Sequence, residues 1–172
     1  FEYYKLADQN NDNNSYCNLA ECYGLGKGTS INFDEAIKWY EKCINNGTPI
    51  GKRKSQVRIG YILSFEKNEM DRGMQYLKSA GEDGSAAAYY YLGEIYNHGI
   101  GKIPVDYKSA LSYFKQSINT DDVLPFVVTL IGDFYYEGKG TIQDKKKAKE
   151  MYQAAAKRGD KEALKKLKEL TF

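Results

Sequence analysis

The sequence contains little histidine and cysteine, and it has no long apolar run. His98 is the single histidine among 172 residues, so a histidine-rich metal site is excluded. The three cysteines, Cys17, Cys22 and Cys43, have no CxxC spacing, which argues against a zinc site. No apolar run approaches the roughly 18 residues that a membrane span requires. The composition therefore predicts no metal site and no membrane segment in this stretch.

The cysteines and two glycosylation sequons bear on the compartment. An odd cysteine count favours a reducing compartment, with small, buried and unbonded thiols. The sequons at Asn13 and Asn46 keep the secretory pathway open. Localisation therefore stays undecided between the cytoplasm, which the cysteines favour, and the endoplasmic reticulum lumen. Because the chain begins at Phe1 and not at Met, we expect it to be part of a longer protein.

Charge is distributed unevenly along the chain. Residues 139–172 carry eleven Lys or Arg against five Asp or Glu, whereas the whole chain has a formal net charge of +2. A basic end can indicate nucleic-acid binding. Here acidic residues are interspersed among the lysines at mixed intervals, as on a solvated helix face. We therefore rank a nucleic acid below a protein as the partner.

A ten-residue pattern recurs along the chain. It reads LAECYGLGKG at 19–28, LGEIYNHGIG at 92–101 and IGDFYYEGKG at 131–140. Each copy is followed by a segment that starts with Ala and ends in an aromatic residue, namely AIKWY, ALSYF and AKEMY. A degenerate copy begins at Ile59, where Leu63 replaces the Tyr and the loop glycines are missing. Successive copies start 33 to 40 residues apart, a spacing typical of helical repeats.

Each half of the repeat has the periodicity of an amphipathic helix. In residues 86–99 the apolar side chains fall at i, i+4, i+7 and i+8, and Gly99 follows as a helix terminator. Asp106 is a candidate N-cap for the helix that follows it. In the first copy, Asp34 or Asn32 is the corresponding candidate.

The second position of each copy holds a small residue, which predicts close helix packing. A neighbouring helix could approach there, with a large aromatic such as Trp39 or Phe114 filling the space beyond. Because one helix pair cannot bury its apolar faces alone, stacking on the next pair completes the core. The small residues are Ala20, Gly60, Gly93 and Gly132.

These motifs, together with AAAKRG at 154–159, resemble the Sel1-like repeat family, a relative of the tetratricopeptide repeat. The resemblance implies an all-α fold: a right-handed α/α superhelix, or solenoid, of antiparallel helix-pair repeats. It covers nearly the whole chain as one array over residues 1–172. The predicted segments are 1–11 (end of a preceding repeat), 12–49, 50–84 (degenerate), 85–121, 122–159 and 160–172 (start of a following repeat or capping helix).

The resemblance also implies a protein-interaction scaffold or adaptor that has no catalytic activity. Related helical-pair repeats commonly bind a peptide on a concave face, which the first helix of each repeat lines. By that resemblance the inward residues form an acidic groove with aromatic walls, suited to a protein or peptide partner of basic character. The candidate residues are Glu21, Val57, Tyr61, Tyr90, Glu94, His98, Asp133, Tyr136 and Glu137.

An enzyme is the alternative class, and the residues argue against it. The glycine loop follows a predicted helix and no GxxxxGK[ST] is present, so no phosphate site is predicted. No Ser or Cys can be placed beside His98, and we predict no catalytic residue and no cofactor. Some cysteine-rich relatives are linked to penicillin binding, but they carry paired cysteines in every repeat. Cys43 matches one such position, yet the following helix from Lys52 offers it no partner.

Two further functions stay open at this point. One is an adaptor for protein degradation in the endoplasmic reticulum lumen, as in some relatives. The other, ranked lower, is nucleic-acid binding through the basic C-terminal helices. Either neighbouring repeats of a longer protein or self-association is expected to cover the exposed ends of the array, because terminal repeats need capping.

Overall fold

The structure is a computed structural model that describes residues 13–170. Every regular element within these residues is helical, and none of them is a strand. The predicted all-α class is therefore confirmed. The chain divides into two compact units, unit 1 up to Asp83 and unit 2 from Gly84 onward. The expectation that residues 1–11 end a preceding repeat lies outside the described residues.

Unit 1 contains two helix pairs among its described residues. Helix α1 packs on α2, and α3 packs on α4. Asn32, one of the two predicted candidates, caps α2, because its side chain accepts the backbone N–H of Glu35 at 3.1 Å. The helices are α1 (Asn13–Leu25), α2 (Phe33–Asn46), α3 (Pro49–Tyr61) and α4 (Met70–Glu82).

Unit 2 repeats the paired arrangement and adds one helix. Asp106 caps α6 as predicted, accepting the backbone N–H groups of Lys108 and Ser109 at 3.0 and 3.1 Å. Gly99 ends α5 with a φ of 65°, a left-handed conformation that favours glycine. The helices are α5 (Ala86–His98), α6 (Tyr107–Ser117), α7 (Pro125–Glu137), α8 (Lys145–Lys157) and α9 (Lys161–Glu169).

Two glycines of unit 2 lie directly against the second helix of their pair, as predicted. A Cβ at Gly93 would come within 3.0 Å of the Phe114 ring, and one at Gly132 would come equally close to the Tyr152 ring. The missing side chain therefore lets each aromatic ring pack against the helix backbone.

Neighbouring helix pairs of unit 2 share one core. A single cluster of buried side chains draws members from α6, α7, α8 and α9. Within it the rings of Phe114 and Phe134 meet edge to face, with their centroids 5.4 Å apart. This shared cluster is the stacking that the repeat pattern predicts.

The aromatic residue that fills the first helix pair is Tyr40, whereas the sequence suggested Trp39. Tyr40 is buried and packs in the same cluster as Ala20. It lies four residues after Ala36, on the same face of α2, which explains its burial. Trp39 is only partly buried, and the ammonium of Lys42 lies 3.8 Å from the centre of its ring.

The degenerate repeat closes its loop without the two glycines. Residues Ile62–Glu66 form a π-helical segment that continues α3. Lys67 donates its backbone N–H to the carbonyl of Ile62 at 3.0 Å, a bond across five residues. Leu63, which replaces the repeat Tyr, is fully buried. A wider helical turn thus substitutes for the glycine loop.

The cysteine prediction is wrong for two of the three residues. Cys17 on α1 and Cys43 on α2 form a disulfide, with their Cα atoms 5.4 Å apart. Cys22 alone is a free, buried thiol. The sequence argument looked for the partner of Cys43 in the following helix, whereas the partner lies in the preceding one. The bond joins the two helices of one pair.

Candidate protein-binding groove

A groove in unit 2 is formed by side chains of α5, α7 and the beginning of α9. Its volume is about 470 Å³, and it lies entirely within this unit. Its lining combines an apolar wall, a set of carboxylates and one lysine. These groups are the candidate binding surface, and we call it the α5/α7 groove.

The apolar wall of the α5/α7 groove is built around Tyr90 and Phe126. Their rings meet edge to face with centroids 5.0 Å apart, and Phe126 is 46% exposed. Leu130 follows one helical turn after Phe126 on α7 and also lines the groove. Burial raises the pKa of Tyr90 to about 12, and the neighbouring Glu94 carboxylate adds to the effect. The Tyr90 hydroxyl stays protonated at neutral pH and is hydrogen-bonded to the Glu94 side chain.

Four carboxylates line the α5/α7 groove, and they differ in their structural roles. Asp160 caps α9 and accepts a hydrogen bond from the Thr129 hydroxyl. Asp133 is held by partners described below. Glu94 is hydrogen-bonded to Tyr90 and lies 3.6 Å from the Nε2 atom of His98. Glu162 lies 4.0 Å from Lys165 and also interacts with the charge of Lys166. Neither carboxylate caps a helix, so altering these two should disturb the fold less than altering Asp160 or Asp133.

Asp133 has two close partners within unit 2. The Tyr152 hydroxyl donates to its Oδ1 atom at 2.6 Å, and the Nζ atom of Lys166 lies 2.8 Å from the same oxygen. Burial raises the pKa of Tyr152, and the bond to Asp133 raises it further. Burial opposes the charge of Lys166, yet the bond to Asp133 and the charges of Asp133, Glu162 and Glu137 together outweigh it and raise the pKa of the ammonium. Lys166 is therefore charged, and it neutralises one of the four carboxylates.

A smaller pocket of about 200 Å³ adjoins the groove at the same ion pair. Asp133 and Lys166 line both cavities. Beyond them the pocket is lined by two tyrosine rings and two further carboxylates. One of these, Glu137, is paired with Lys139 at 2.6 Å. The other lining residues are Tyr136, Tyr152, Glu169 and Leu170.

The predicted candidates of unit 2 fall into two neighbouring groups. Tyr90, Glu94, His98 and Asp133 line the α5/α7 groove. Asp133 is shared with the smaller pocket, which also contains the predicted Tyr136 and Glu137. All six residues are thus placed around one continuous surface of α5 and α7.

The three predicted candidates of unit 1 do not line the α5/α7 groove. Val57 is only 8% exposed, because residues on most sides of the C-terminal half of α3 are buried. The Tyr61 hydroxyl donates to Glu66 at 3.3 Å, and its ring stacks on Phe65. Glu21 is half-buried on α1. Val57 offers little surface to a partner, and we leave all three out of the proposed site.

Sequence reasoning missed five residues that complete the groove, one of which is Asp160 at the start of α9. Phe126 and Leu130 precede Asp133 by seven and three residues, so the helical period of α7 could have identified them. Glu162 and Lys166 come from α9, which the sequence suggested only as the start of a following repeat or a capping helix. No motif signalled that this helix would contribute to the surface.

The described residues show no site for a metal and no membrane span. Within residues 13–170, no three His, Cys, Asp or Glu side chains lie close enough together to hold an ion. In the same part of the chain, no helix has both the length and the apolar character needed to cross a bilayer.

The fold and the repeated helix pairs define a class of helical-repeat interaction proteins. The Sel1 repeat family model matches residues 14–47, 86–120 and 129–160, which together exceed half of the chain. The chain therefore belongs to the Sel1 repeat family. These segments overlap three of the four predicted repeats, while the degenerate repeat at 50–84 lies outside them.

Solved structures with a similar fold come from several bacteria. A Sel1 repeat protein from Oxalobacter formigenes is 28% identical over 97% of this chain, with a TM-score of 0.75. A protective antigen of uropathogenic Escherichia coli with the same type of fold is 19% identical over 96%, with a TM-score of 0.54. Cysteine-rich protein B of Helicobacter pylori is 22% identical over 80% of this chain and 97% of its own, with a TM-score of 0.58.

This chain spans 66% of the Oxalobacter protein and 42% of the E. coli antigen. Among curated proteins no similar sequence was found. The structural relatives support the fold class, a solenoid of paired helices. They do not identify a partner, so we infer the chemistry of the partner from the groove.

Proposed function

We propose that this chain binds an extended, basic segment of a protein partner through the α5/α7 groove of unit 2. Sel1 repeat proteins are generally protein–protein interaction scaffolds and not enzymes. The proposal specifies the surface and the chemistry of the partner. It excludes unit 1 from the principal contact.

The single observation that carries the proposal is the composition of the groove. An aromatic wall of the half-buried Tyr90 and the exposed Phe126 lines the groove together with carboxylates that outnumber its one lysine. Stiff aromatic side chains provide contact area at a low entropic cost, and interface hot spots are enriched in such residues. The excess negative charge favours a basic partner segment and increases its association rate.

Three lysines near the end of unit 2 form ion pairs, which reduces what these three could contribute to binding a nucleic acid. Lys139 is paired with Glu137, Lys165 with Glu162 and Lys166 with Asp133. Paired lysines release fewer counterions on contact with phosphates, so they contribute less to nucleic-acid affinity.

The disulfide indicates the type of compartment in which this chain would bind its partner. Bonded cysteines persist in oxidising compartments and are rare in the cytosol. The bond between Cys17 and Cys43 therefore removes the sequence argument for a reducing compartment. It supports an adaptor role in an oxidising compartment such as the endoplasmic reticulum lumen.

Reversing two groove charges should strongly weaken binding to a basic peptide. The probe is a labelled Gly-Ser peptide that carries two arginines and one phenylalanine, compared with the same peptide carrying neutral citrulline. We expect fluorescence anisotropy to show at least tenfold weaker arginine-peptide binding for the double variant Glu94→Lys, Glu162→Lys, since like charges then face the peptide. Asp133 is kept, because Tyr152 and Lys166 depend on it.

The matched control carries the same charge change away from the groove. Asp121 and Glu150 are exposed residues of unit 2 that do not line it, and Asp121→Lys with Glu150→Lys should weaken binding by less than about threefold. Equal losses in the two double variants, or equal binding of the citrulline peptide, would rule out the groove as the binding surface.

A further inference from the structure

The ammonium group of Lys166 already occupies a place on the acidic surface of unit 2. The Nζ atom of Lys166 lies 2.8 Å from Asp133 Oδ1 and 5.9 Å from the centre of the Tyr152 ring. The lysine side chain is 28% exposed, so water reaches it from one side. The structure thus shows directly that an ammonium group is accommodated at this point.

The position of Lys166 separates two cavities that have the same character. On one side is the α5/α7 groove, and on the other is the 200 Å³ pocket with the rings of Tyr136 and Tyr152. The ion pair between Lys166 and Asp133 lines both cavities. If the lysine side chain swung into solvent, the two cavities would join along Asp133.

We propose that Lys166 holds the place of a basic side chain of the partner, which displaces it and enters the pocket between Tyr136 and Tyr152. This inference rests on the proposed function, because the same peptide segment would lie in the α5/α7 groove. It adds to that function a pocket that binds one basic side chain of the partner. It also adds a lysine of the protein, Lys166, that competes with this side chain for the pocket.

The chemistry of the pocket fits arginine better than lysine. Asp133 and Glu137 are four residues apart on α7, so their carboxylates project from the same face. A planar guanidinium has five donors, can bond to more than one carboxylate oxygen and stacks on aromatic rings. The Lys166 ammonium contacts only Asp133 among the carboxylates of this pocket.

Displacement exchanges one ion pair for another, so its cost is small. The released Lys166 side chain regains rotamer freedom in water, and the partner's guanidinium satisfies Asp133 in its place. Lys166 also keeps the carboxylate paired in the free protein, which avoids an unpaired, partly buried charge.

Removing the competitor should therefore strengthen binding. We expect Lys166→Gln to tighten binding of the arginine peptide roughly fivefold, the effect size of one partly exposed ion pair. Lys168→Gln removes the same charge from an exposed position on α9 outside both cavities, and it should change the affinity less than twofold. Lys166→Arg replaces the competing ammonium with a guanidinium that suits the pocket better, and it should therefore weaken binding of the arginine peptide. Circular dichroism of each variant checks the fold.

The outcomes separate this inference from the proposed function. Tighter binding of Lys166→Gln alone supports the inference. Equal effects of Lys166→Gln and Lys168→Gln on the affinity, or weaker binding of Lys166→Gln, would overturn the inference. The proposed function would then still be decided by the double variant Glu94→Lys, Glu162→Lys and its control. If neither the unaltered protein nor Lys166→Gln prefers the arginine peptide over the citrulline peptide, the inference and the proposed function are both overturned.

Discussion

Replacing Phe114 with alanine is expected to lower the free energy of unfolding of unit 2 by about 3–5 kcal/mol. The ring is fully buried, packs against the backbone at Gly93 and meets Phe134 edge to face. It therefore contacts both its own helix pair and the next, and its loss opens a cavity where the two pairs share their core. Urea unfolding followed by circular dichroism measures the change.

Phe126→Ala provides the matched control for this measurement. Both substitutions remove a phenyl ring from a helix of unit 2, but Phe126 is 46% exposed in the groove. We expect Phe126→Ala to lower the unfolding free energy by about 1 kcal/mol, since less apolar area is lost from the interior. If the two variants were equally unstable, Phe114 would not be the link between helix pairs that the structure shows.

Reducing the disulfide is expected to destabilise unit 1 by about 3.5 kcal/mol. Cys17 and Cys43 are 26 residues apart, and closing a loop of that length in the unfolded chain gives this magnitude in the chain-entropy model. Thermal unfolding with and without a reductant measures the loss. Thiol labelling in denaturant without reductant should detect one free cysteine, Cys22.

The double variant Cys17→Ser, Cys43→Ser separates the disulfide from other effects of the reductant. Its melting temperature should not respond to reductant, whereas that of the unaltered protein should fall. Three free thiols in the unreduced protein would show that the bond does not form, and the argument for an oxidising compartment would fail with it.

The sequence predicted those parts of the fold that depend on local geometry. Gly93 and Gly132 were identified as points of close helix approach, and both lie against aromatic rings. Asp106 and Gly99 were identified as a helix start and a helix end, and both have those roles. Caps, terminators and small residues act within a few residues of their position, so a sequence pattern identifies them well.

The sequence did not predict features that depend on which helices face each other. The partner of Cys43 lies on the preceding helix, 26 residues away, and periodicity does not reveal that pairing. Val57 has the same repeat position as Tyr90, yet Val57 is buried, with 8% of its surface exposed, whereas Tyr90 is only partly buried. Lys166 reaches Asp133 from a helix two elements later.

The candidate site was therefore predicted in part. The resemblance to helical-pair repeats implied that Glu94 and Asp133 lie on inward faces of α5 and α7, and both line the groove. The aromatic wall needs Phe126, and the competing cation needs Lys166. These two residues become evident only when α5, α7 and α9 are seen together.

Mapping the arginine peptide on the protein by NMR tests the central claim most directly. Amide chemical-shift changes during titration should concentrate in the residues of α5, α7 and α9 that line the groove and the adjoining pocket. The largest changes should lie near Glu94, Asp133 and Lys166, and helices α1 to α4 should be little affected. Changes centred on unit 1, or spread evenly over both units, would contradict the claim that the acidic, aromatic groove of unit 2 is the binding surface.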